Sequence, residues 1–356
     1  RRTGPGRLHR RGQIVLMADT YRCVTLARFV DGLPGPDDFN IETRQVPEPG
    51  DGEVLVRNIY ASLDPGGRTR LSGGVSYIPP LALGDVAGGF NIGQVVKSNN
   101  TGFSTGDLVV GAFGWSEMGL SNGRGYFAKI EDWDLPLSAW IGVLGIPGLT
   151  AYFGLKRVAG IGAGETALVT SAAGMVGATA AQIAKILGCR VIGVAGGSVK
   201  CAWLRDELGL DAVIDYKTAG DLSTAINETA PEGIDILFDN VGNRFVDAIL
   251  PLMRLNGRIV VSGQIGDYNL ATKDIHGIKN TRAFITHRVR MEGLVVFDDR
   301  PQFSAAQAEM AAWIKAGKLI YREKIYEGIE CAPQAFRDMF EGTYFGRHLV
   351  RLAPEP

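Results

Sequence analysis

From Trp140 onward, short apolar runs alternate with stretches whose apolar residues recur at helical spacing. The runs that we interpret as strands are residues 166–170, 190–195, 212–215, 234–240, 257–263 and 293–297. Helices are expected near residues 176, 200, 219 and 245. Strands that alternate with helices on this period form a doubly wound parallel sheet. This part of the chain is therefore predicted to be an α/β domain.

The chain before this part has a different pattern. Its β-type runs, separated by clusters of Gly, Pro, Asn and Asp that favour turns, are residues 23–29, 53–61, 93–98, 108–113 and 125–130. After Pro301 a helical pattern extends to residue 316, and apolar runs follow at 319–326 and 348–352. We expect these last segments to return to the first, β-rich domain. The predicted boundaries are 17–138 for the β-rich domain, 139–300 for the α/β domain and 301–356 for the return.

The first sixteen residues differ from the rest of the chain. They contain five arginines, and no acidic residue precedes Asp19. Their apolar run is too short for the hydrophobic region of a secretory signal, and Met17 followed by Ala18 resembles a start site. We interpret residues 1–16 as a disordered leader. An organellar transit remnant is the alternative, because such peptides are also rich in Arg and poor in acids.

Composition narrows the class of protein. The chain has 356 residues, of which 46% are hydrophobic and 21% charged, as expected for a soluble protein with two domains. A net charge of −1 provides no field to attract nucleic acid or an anionic membrane, and no apolar run is long enough to span a bilayer. The four cysteines lack metal-type C-x-x-C spacing and are expected to be reduced thiols in the cytoplasm.

A glycine turn follows the first strand of the predicted α/β domain. Gly174 and Gly177 match the second and third glycines of G-x-G-x-x-G, whereas Ala172 occupies the first position. Backbone N–H groups and the helix dipole favour an anion at such a helix N-terminus, so the turn predicts a pyrophosphate site for a dinucleotide. The alternative is a glycine turn that only allows close packing of the helix on the strand.

The end of the second strand indicates which dinucleotide binds. An NAD-preferring site would place an Asp or Glu here for the ribose 2′-hydroxyl, but the apolar run ends in Gly196, Gly197 and Ser198, with Lys200 shortly after. A cation at this position suits a 2′-phosphate, which predicts NADPH. Lys200 could instead be an ordinary solvated lysine.

Several further motifs carry a resemblance to a known family. The segments Ile146-Pro147-Gly148-Leu149-Thr150-Ala151-Tyr152 and Asp239-Asn240-Val241-Gly242 resemble the medium-chain dehydrogenase/reductase superfamily. Within this superfamily, further segments resemble the zinc-free double-bond reductases, namely the prostaglandin/leukotriene, plant alkenal and bacterial curcumin reductases. These segments are Asp64-Pro65 with Arg68, Ser76-Tyr77-x-Pro79-Pro80, Ala173-Gly174-x-Val176-Gly177, Asp267-Tyr268-Asn269 and Phe340-Glu341-Gly342. The resemblance implies a Rossmann doubly wound parallel sheet inserted in a β-rich, GroES-like catalytic domain, and a homodimer.

The zinc ligands that alcohol-oxidising members of the superfamily need are missing from the sequence pattern. The chain has four histidines, and Gly84-Asp85 stands where a zinc-type Gly-His-Glu would be. We therefore predict no metal. The expected reaction is hydride transfer from NADPH to the β-carbon of an α,β-unsaturated ketone or aldehyde, with stabilisation of the enolate that forms. The alternatives are an NADPH:quinone reductase and a non-catalytic NADPH-binding module.

Tyr268 is the candidate catalytic residue. It follows the fifth strand, at the carboxyl edge where doubly wound sheets bind ligands, and the resemblance implies that its hydroxyl lies near a substrate carbonyl. The alternative is a tyrosine packed in an ordinary turn. The candidate cofactor-binding residues are Pro147, Thr150, Ala173, Gly174, Met175, Val176, Gly177, Gly196, Lys200, Tyr216, Asn240, Val241, Gly242, Ser262, Gly263, Ile265, Tyr268, Leu294, Val296 and Phe297. Tyr216 could instead be a half-buried loop aromatic. Gly66 and Tyr77 are the candidate substrate-pocket residues, for a small hydrophobic enone or enal.

Two departures from the family pattern affect these expectations. Gly66 and Gly67 replace the Tyr and Met of Asp-Pro-Tyr-Met-Arg, which indicates a wider or looser substrate pocket. Tyr344 replaces a family Asn near the C-terminus, and Arg347 replaces a Lys, so one cofactor hydrogen bond is expected to change. Arg68 is expected to pair with Asp64; the alternative is a contact with an acidic substrate.

Overall fold

The computed structural model describes residues 19–73, 78–131 and 133–356. The predicted leader at residues 1–16 and the predicted pocket residue Tyr77 lie outside these ranges. Two sheets organise the described part of the chain: one is mainly antiparallel and the other is parallel throughout. Among the described residues, no helix combines the length and the apolar character that crossing a membrane requires.

The mainly antiparallel sheet is built around one long, almost completely buried strand. Its strands are β3 (Val54–Ser62), β4 (Asn91–Ser98), β5 (Leu108–Gly111), β6 (Met118–Ser121), β7 (Ala128–Lys129), β14 (Glu323–Glu327) and β15 (Arg347–Arg351). Within the described ranges their order is β14-β15-β3-β4-β5-β7, with β6 also paired to β3. A separate antiparallel pair joins β1 (Thr20–Leu26) to β2 (Phe39–Gln45). The C-terminal strand β15 thus lies beside β3, at the end of the cleft described below.

The parallel sheet has the order β10-β9-β8-β11-β12-β13, which is the Rossmann order and confirms the predicted fold class. Its strands are β8 (Thr166–Val169), β9 (Arg190–Ala195), β10 (Ala212–Asp215), β11 (Ile234–Asp239), β12 (Met253–Val261) and β13 (Arg290–Gly293). The connecting helices are α2 (Met175–Ile186), α3 (Ser198–Asp206), α4 (Leu222–Thr229), α5 (Asn243–Ile249) and α6 (Arg282–Thr286). The strand order reverses between β8 and β11, and ligands bind at the carboxyl ends of strands at such a point.

Three more helices flank the sheets. They are α1 (Ile146–Phe153), which precedes the parallel sheet, α7 (Phe303–Lys315), which follows it, and α8 (Ala332–Glu341), which lies between β14 and β15. Helix α1 continues into a wider π-type turn at Gly154–Ala159. The side chain of Gln307 in α7 donates a hydrogen bond to the carbonyl of Leu144, just before α1 (2.8 Å). Helices α1 and α7 are thereby held together next to the cleft.

The structure corrects some of the predicted elements. The strand predicted at 293–297 is wrong: β13 is Arg290–Gly293, and a 3-10 turn occupies Val296–Gln302. The error has a physical cause, because β13 lies at the outer end of the sheet and carries exposed polar residues, whereas the apolar run after it faces the cleft. Strands β2 and β6 and helix α8 have no predicted counterpart. The first two are short or largely exposed, so neither has a long apolar run.

Candidate functional site

A cleft of about 1640 Å³ lies between the two sheets, at the carboxyl ends of the parallel strands. Strands β8, β9, β11 and β12 end at positions 169, 195, 239 and 261, and lining residues follow each of these ends. The lining includes each predicted site residue that lies in the described ranges: Gly66, Pro147, Thr150, Ala173, Gly174, Met175, Val176, Gly177, Gly196, Lys200, Tyr216, Asn240, Val241, Gly242, Ser262, Gly263, Ile265, Tyr268, Leu294, Val296 and Phe297. The structure thus brings them to one site, while their binding roles remain predictions.

The glycine turn allows the backbone to fold tightly against the start of α2. A Cβ at Gly177 would lie 2.3 Å from the carbonyl oxygen of Ser171, which leaves no room for any larger residue. Gly174 is the N-cap of α2 and has no side chain to occupy the first-turn N–H groups. Ser171 has a φ of 49° and is therefore in the left-handed region. It lies directly before Ala172, which occupies the position of the first glycine of the motif. These features fit a diphosphate at the N-terminus of α2.

Lys200 and its surroundings form the end of the cleft beyond β9. The Lys200 ammonium group donates a hydrogen bond to the carbonyl of Gly342 (2.9 Å), in the C-terminal segment. Burial, and next the charge of Lys217, lower the pKa of Lys200. Within the described ranges neither lysine forms a salt bridge. Two neighbouring cations without a carboxylate partner provide a site for an anion.

Tyr216 lies next to this cationic end. Its side chain is 46% exposed, and its ring packs edge-on against Phe245 with 5.8 Å between centroids. A Cβ at Gly196 would lie 2.7 Å from the Tyr216 ring, so the close approach of this ring requires glycine there. A half-exposed ring beside Lys200 is compatible both with a cofactor contact and with the alternative of a packed loop aromatic.

The turn after β11 is organised by a buried carboxylate. Asp239 accepts hydrogen bonds from the Thr170 hydroxyl (2.7 Å) and from the backbone N–H groups of Val241 (3.2 Å) and Gly242 (2.9 Å). Burial raises the pKa of Asp239 to about 6, although all three donors favour the charged form. The Asn240 side chain joins this turn to β8 by donating to the carbonyl of Thr170 (2.7 Å).

A second contact extends this network to β12. The Ser262 hydroxyl donates to the Asn240 side-chain oxygen (2.9 Å). Gly242 has a φ of +125°, and a Cβ there would lie 2.3 Å from the Asp267 carboxylate, so both conformation and space require glycine. The turns that end β8, β11 and β12 are therefore joined into one polar edge of the cleft.

Tyr268 lies on the loop after β12 and its hydroxyl folds back over that loop. The hydroxyl oxygen accepts a hydrogen bond from the backbone N–H of Gln264 (3.1 Å), and the Tyr268 N–H donates to the Gln264 carbonyl (3.2 Å). A donor that bonds to a phenol oxygen polarises the O–H bond and strengthens it as a donor. The next residue, Asn269, accepts a hydrogen bond from Arg68 (3.1 Å), which ties the Tyr268 loop to the β-rich part of the chain.

The expected pair between Arg68 and Asp64 is wrong. Besides Asn269, the buried Arg68 guanidinium donates to the carbonyls of Val30 (3.1 Å) and Gly32 (3.0 Å). It therefore satisfies loop carbonyls that would otherwise be buried without a donor. The direction in which the Arg68 side chain points depends on these distant loops, which no local motif reveals.

Asp64 instead pairs with Arg347, on β15. The distance between the Arg347 Nη1 and the Asp64 carboxylate is 2.7 Å, and the Ser62 hydroxyl donates to the other oxygen of Asp64. Arg347 is only 3% exposed and also donates to the carbonyl of Ile141 (2.8 Å). The sequence identified Arg347 only as a replacement for a family lysine. Its structural role is to hold the end of β15 against the end of β3.

The C-terminal segment before β15 lies across the glycine turn. The Gly346 N–H donates to the carbonyl of Ala173 (2.9 Å). Tyr344 lines the cleft with a side chain that is 43% exposed, and the Lys324 ammonium group lies 4.6 Å from its ring centroid. The altered residue Tyr344 is thus close to the predicted cofactor site, and its effect on a cofactor hydrogen bond remains a prediction.

Three aromatic rings, which we call the aromatic wall, line the other end of the cleft: Phe90, Tyr126 and Phe297. Opposite charges lie nearby, since Asp64 and Arg347 also line this cleft. Gly66 lies in a 3-10 turn in the same lining, and no atom of the described residues lies within 4 Å of the position that its Cβ would occupy. Of the wall, the sequence pointed only to Phe297.

Comparisons with known proteins agree with this architecture. Residues 22–128 match a family model described as the N-terminal domain of oxidoreductase, and residues 176–313 match one described as zinc-binding dehydrogenase. The second description names zinc, yet the described residues contain no cluster of three His, Cys, Asp or Glu side chains that could hold a metal ion.

The chain is similar over nearly its whole length to characterised reductases. It is 40% identical to an NADPH-dependent curcumin reductase of Escherichia coli, over 92% of this chain and 96% of that protein. It is also 40% identical to an NADP(+)-dependent 2-alkenal reductase of Nicotiana tabacum, over 93% and 97%. The crystal structure of CurA from Vibrio vulnificus in complex with NADPH superposes with a TM-score of 0.88 at 36% identity, covering 94% of this chain and 100% of that one.

Proposed function

Because the chain belongs to the zinc-free double-bond reductase branch of the medium-chain dehydrogenase/reductase superfamily, we propose that it reduces the C=C bond of α,β-unsaturated ketones and aldehydes with NADPH. The relatives named as curcumin, 2-alkenal and prostaglandin reductases support this reaction class. The observation that carries the proposal is the single cleft that joins the uncapped start of α2, the Lys200 end and Tyr268.

The cleft fits NADPH at the places where the cofactor is charged. The first-turn N–H groups of α2 would hold the pyrophosphate, since they point toward a turn with no side chain at its N-cap. Lys200 and Lys217 would hold the 2′-phosphate, because an anion there relieves the repulsion between the two cations. The polar edge from Asn240 to Ser262 would bind the ribose groups between them. When bound, NADPH supplies a hydride from its nicotinamide ring.

Hydride transfer would place a negative charge on the substrate, and the protein must stabilise this charge. The β-carbon of the enone accepts the hydride, the electron pair of the alkene forms the C=C bond of the enolate, the carbonyl π pair moves onto the oxygen, and the α-carbon then takes up a proton from water. Tyr268 would donate a hydrogen bond to the developing oxyanion, with the Gln264 N–H polarising its hydroxyl. The oxyanion is the negative charge that develops on the substrate, and a neutral donor in the cleft can stabilise it.

The test is a comparison of electron acceptors with both cofactors. Oxidation of NADPH and NADH is followed by absorbance with a conjugated enone, a small quinone and a saturated aldehyde, and the products are identified by mass spectrometry. With deuterium at the transferred position of NADPH, the product is expected to be a saturated ketone labelled on its β-carbon. Reduction of the quinone alone would favour the quinone reductase, and a preference for NADH would contradict the assigned role of Lys200.

The same experiment addresses a non-catalytic NADPH-binding module. Such a module would bind NADPH, as measured by calorimetry, without oxidising it across a panel of enones. We also propose that the protein forms a homodimer, in which the edge strand β13 is a candidate interface because it lies at the outer end of the parallel sheet formed by the described strands. Light scattering at several protein concentrations tests this state.

A further inference from the structure

Position 66 carries no side chain at the substrate end of the cleft. Neither Gly66 nor Gly67 has a left-handed φ, so other residues could adopt the same backbone. Among the described residues, no atom lies within 4 Å of the Cβ position of either glycine. Neither an unusual backbone conformation nor close packing against the described residues therefore requires these two glycines.

Tyr126 bounds the cleft from a different segment. It lies between β6 and β7, and its ring packs edge-on against Phe90 with 5.0 Å between centroids and 72° between planes. It packs in the same way against Phe297, at 5.7 Å and 76°. Two edge-to-face contacts hold the ring in one orientation, and one of them is to Phe297, a candidate cofactor-binding residue.

The Tyr126 hydroxyl lies in a charged but water-poor environment. Burial, and next the Asp64 carboxylate, raise the pKa of Tyr126, because a phenolate would be poorly solvated and repelled there. The hydroxyl therefore stays protonated and is a hydrogen-bond donor at any pH near neutrality. Within residues 19–73, 78–131 and 133–356, no group forms a hydrogen bond with it. A partly buried donor in a cleft is favourable once a ligand supplies the acceptor.

We propose that Tyr126 is a specificity-determining residue, which bounds the substrate end of the cleft in place of a side chain at position 66. Its ring packs against an aromatic group of the substrate, and its hydroxyl donates to an oxygen carried by that aromatic group. This inference rests on the proposed enone reduction. It predicts a preference for enones that carry an aryl group over linear alkenals, and it assigns that preference to Tyr126 rather than to the loop that contains Gly66.

The main test replaces the ring and then only the hydroxyl. The Tyr126→Leu enzyme is expected to have a KM for benzylideneacetone that is raised about 10-fold, with the KM for trans-hexenal changed less than about 2-fold, because one aromatic contact is lost. The Tyr126→Phe enzyme keeps the ring and is expected to keep the KM for benzylideneacetone, whereas its KM for 4-hydroxybenzylideneacetone, which carries a ring oxygen, is expected to rise about 3-fold. In both variants kcat is expected to change less than KM.

The reverse change adds a ring where the cleft is open. The Gly66→Tyr variant should fold, because position 66 has no left-handed φ and no atom of the described residues lies within 4 Å of its Cβ position. It is expected to raise the KM for benzylideneacetone more than that for trans-hexenal, because two rings then narrow the same passage. The matched control is Phe103→Leu, which removes an aromatic ring packed on Phe127 away from the cleft and should leave both KM values unchanged.

Binding measurements separate the possible outcomes. Calorimetry with NADP+ checks that each variant keeps the cofactor site, and titration of the NADP+ complex with benzylacetone, a product analogue, measures the aryl contact without turnover. Equal effects of Tyr126→Leu on both substrates, or none, in a variant with normal NADP+ affinity would overturn the inference. If the unsubstituted enzyme reduces neither substrate, the proposed function fails, whereas the benzylacetone titration still decides whether Tyr126 contacts an aryl ligand.

Discussion

Removing the Lys200 ammonium group tests the cofactor assignment most directly. In the structure this group is half-buried, donates to the Gly342 carbonyl and lies near Lys217. Burial, and next the charge of Lys217, lower the pKa of Lys200 and so destabilise its charged form, which an incoming anion would offset. The perturbation is Lys200→Met, which keeps most of the apolar stem and removes the charge.

The expected magnitude follows from the type of contact. A hydrogen bond to a charged group contributes about 1.5 to 3 kcal/mol, which corresponds to a loss of about 10- to 100-fold in affinity. The upper part of this range is favoured, because a half-buried cation is screened less by salt than an exposed one. NADH has no 2′-phosphate, so its affinity should change by less than about 2-fold.

The assay is calorimetric titration of the variant with NADP+ and NAD+, with kcat and KM for NADPH and NADH as a second measure. Lys185→Met is the matched control, since Lys185 lies in the same α/β part but pairs with Asp211 (3.0 Å) and does not line the cleft. Equal losses for the two cofactors in Lys200→Met would refute the reasoning, because they would show that the Gly342 contact, and not the phosphate, accounts for the effect.

Three more changes test other parts of the cleft. Gly177→Ala places a methyl group against the Ser171 carbonyl and is expected to weaken NADP+ binding at least about 10-fold by calorimetry. Gly66→Ala is the control and should leave NADP+ binding unchanged. Equal NADP+ affinities of the two variants would contradict the predicted pyrophosphate site. Tyr268→Phe is expected to lower kcat about 100-fold at unchanged NADP+ affinity, and full turnover would remove Tyr268 from the chemistry. Burial, and next the charge of Arg347, lower the pKa of the buried His348 to about 4. As pH falls below about 6.5, His348 therefore becomes protonated in the unfolded chain while it stays neutral in the folded protein. Between about pH 7.5 and pH 5 this costs about 2 kcal/mol of unfolding free energy, so in denaturant titrations the unfolding free energy of the unsubstituted protein should fall by about 2 kcal/mol more over this range than that of His348→Gln.

The parallel sheet could be predicted because each of its central strands is buried on both faces. Strands β8 and β9 are apolar after their first residue, β11 contains the apolar run 236–238, and each strand is followed by a glycine-containing turn. Such runs are local in sequence, so periodicity finds both their position and their carboxyl ends. The edge strand β13 lacks this signal because its residues are mostly polar and partly exposed. The prediction consequently moved that strand onto the apolar run that faces the cleft.

The charged contacts of the site were less predictable because each joins distant parts of the chain. Arg347 forms its ion pair with Asp64 only because β15 pairs with β3. Arg68 donates its hydrogen bond to Asn269, about two hundred positions later in the chain. The expected pair of Arg68 with Asp64 relied on their closeness in sequence. In the folded chain, the loop carbonyls of Val30 and Gly32 compete successfully for the same guanidinium.

The substrate end of the cleft shows the same limit in a form that affects function. The motif comparison finds no aromatic side chain at Gly66 and therefore predicts a wider pocket, which stays a prediction. Tyr126 lies sixty positions later in the chain, outside any motif, and only the pairing of β3, β4 and β5 brings its segment to the same cleft. Pocket width therefore depends on the loops that the sheet brings together, since a ring lost from one loop can be supplied by another. Substitution of Tyr126 is accordingly expected to change the substrate specificity, even though the loop that contains Gly66 stays intact.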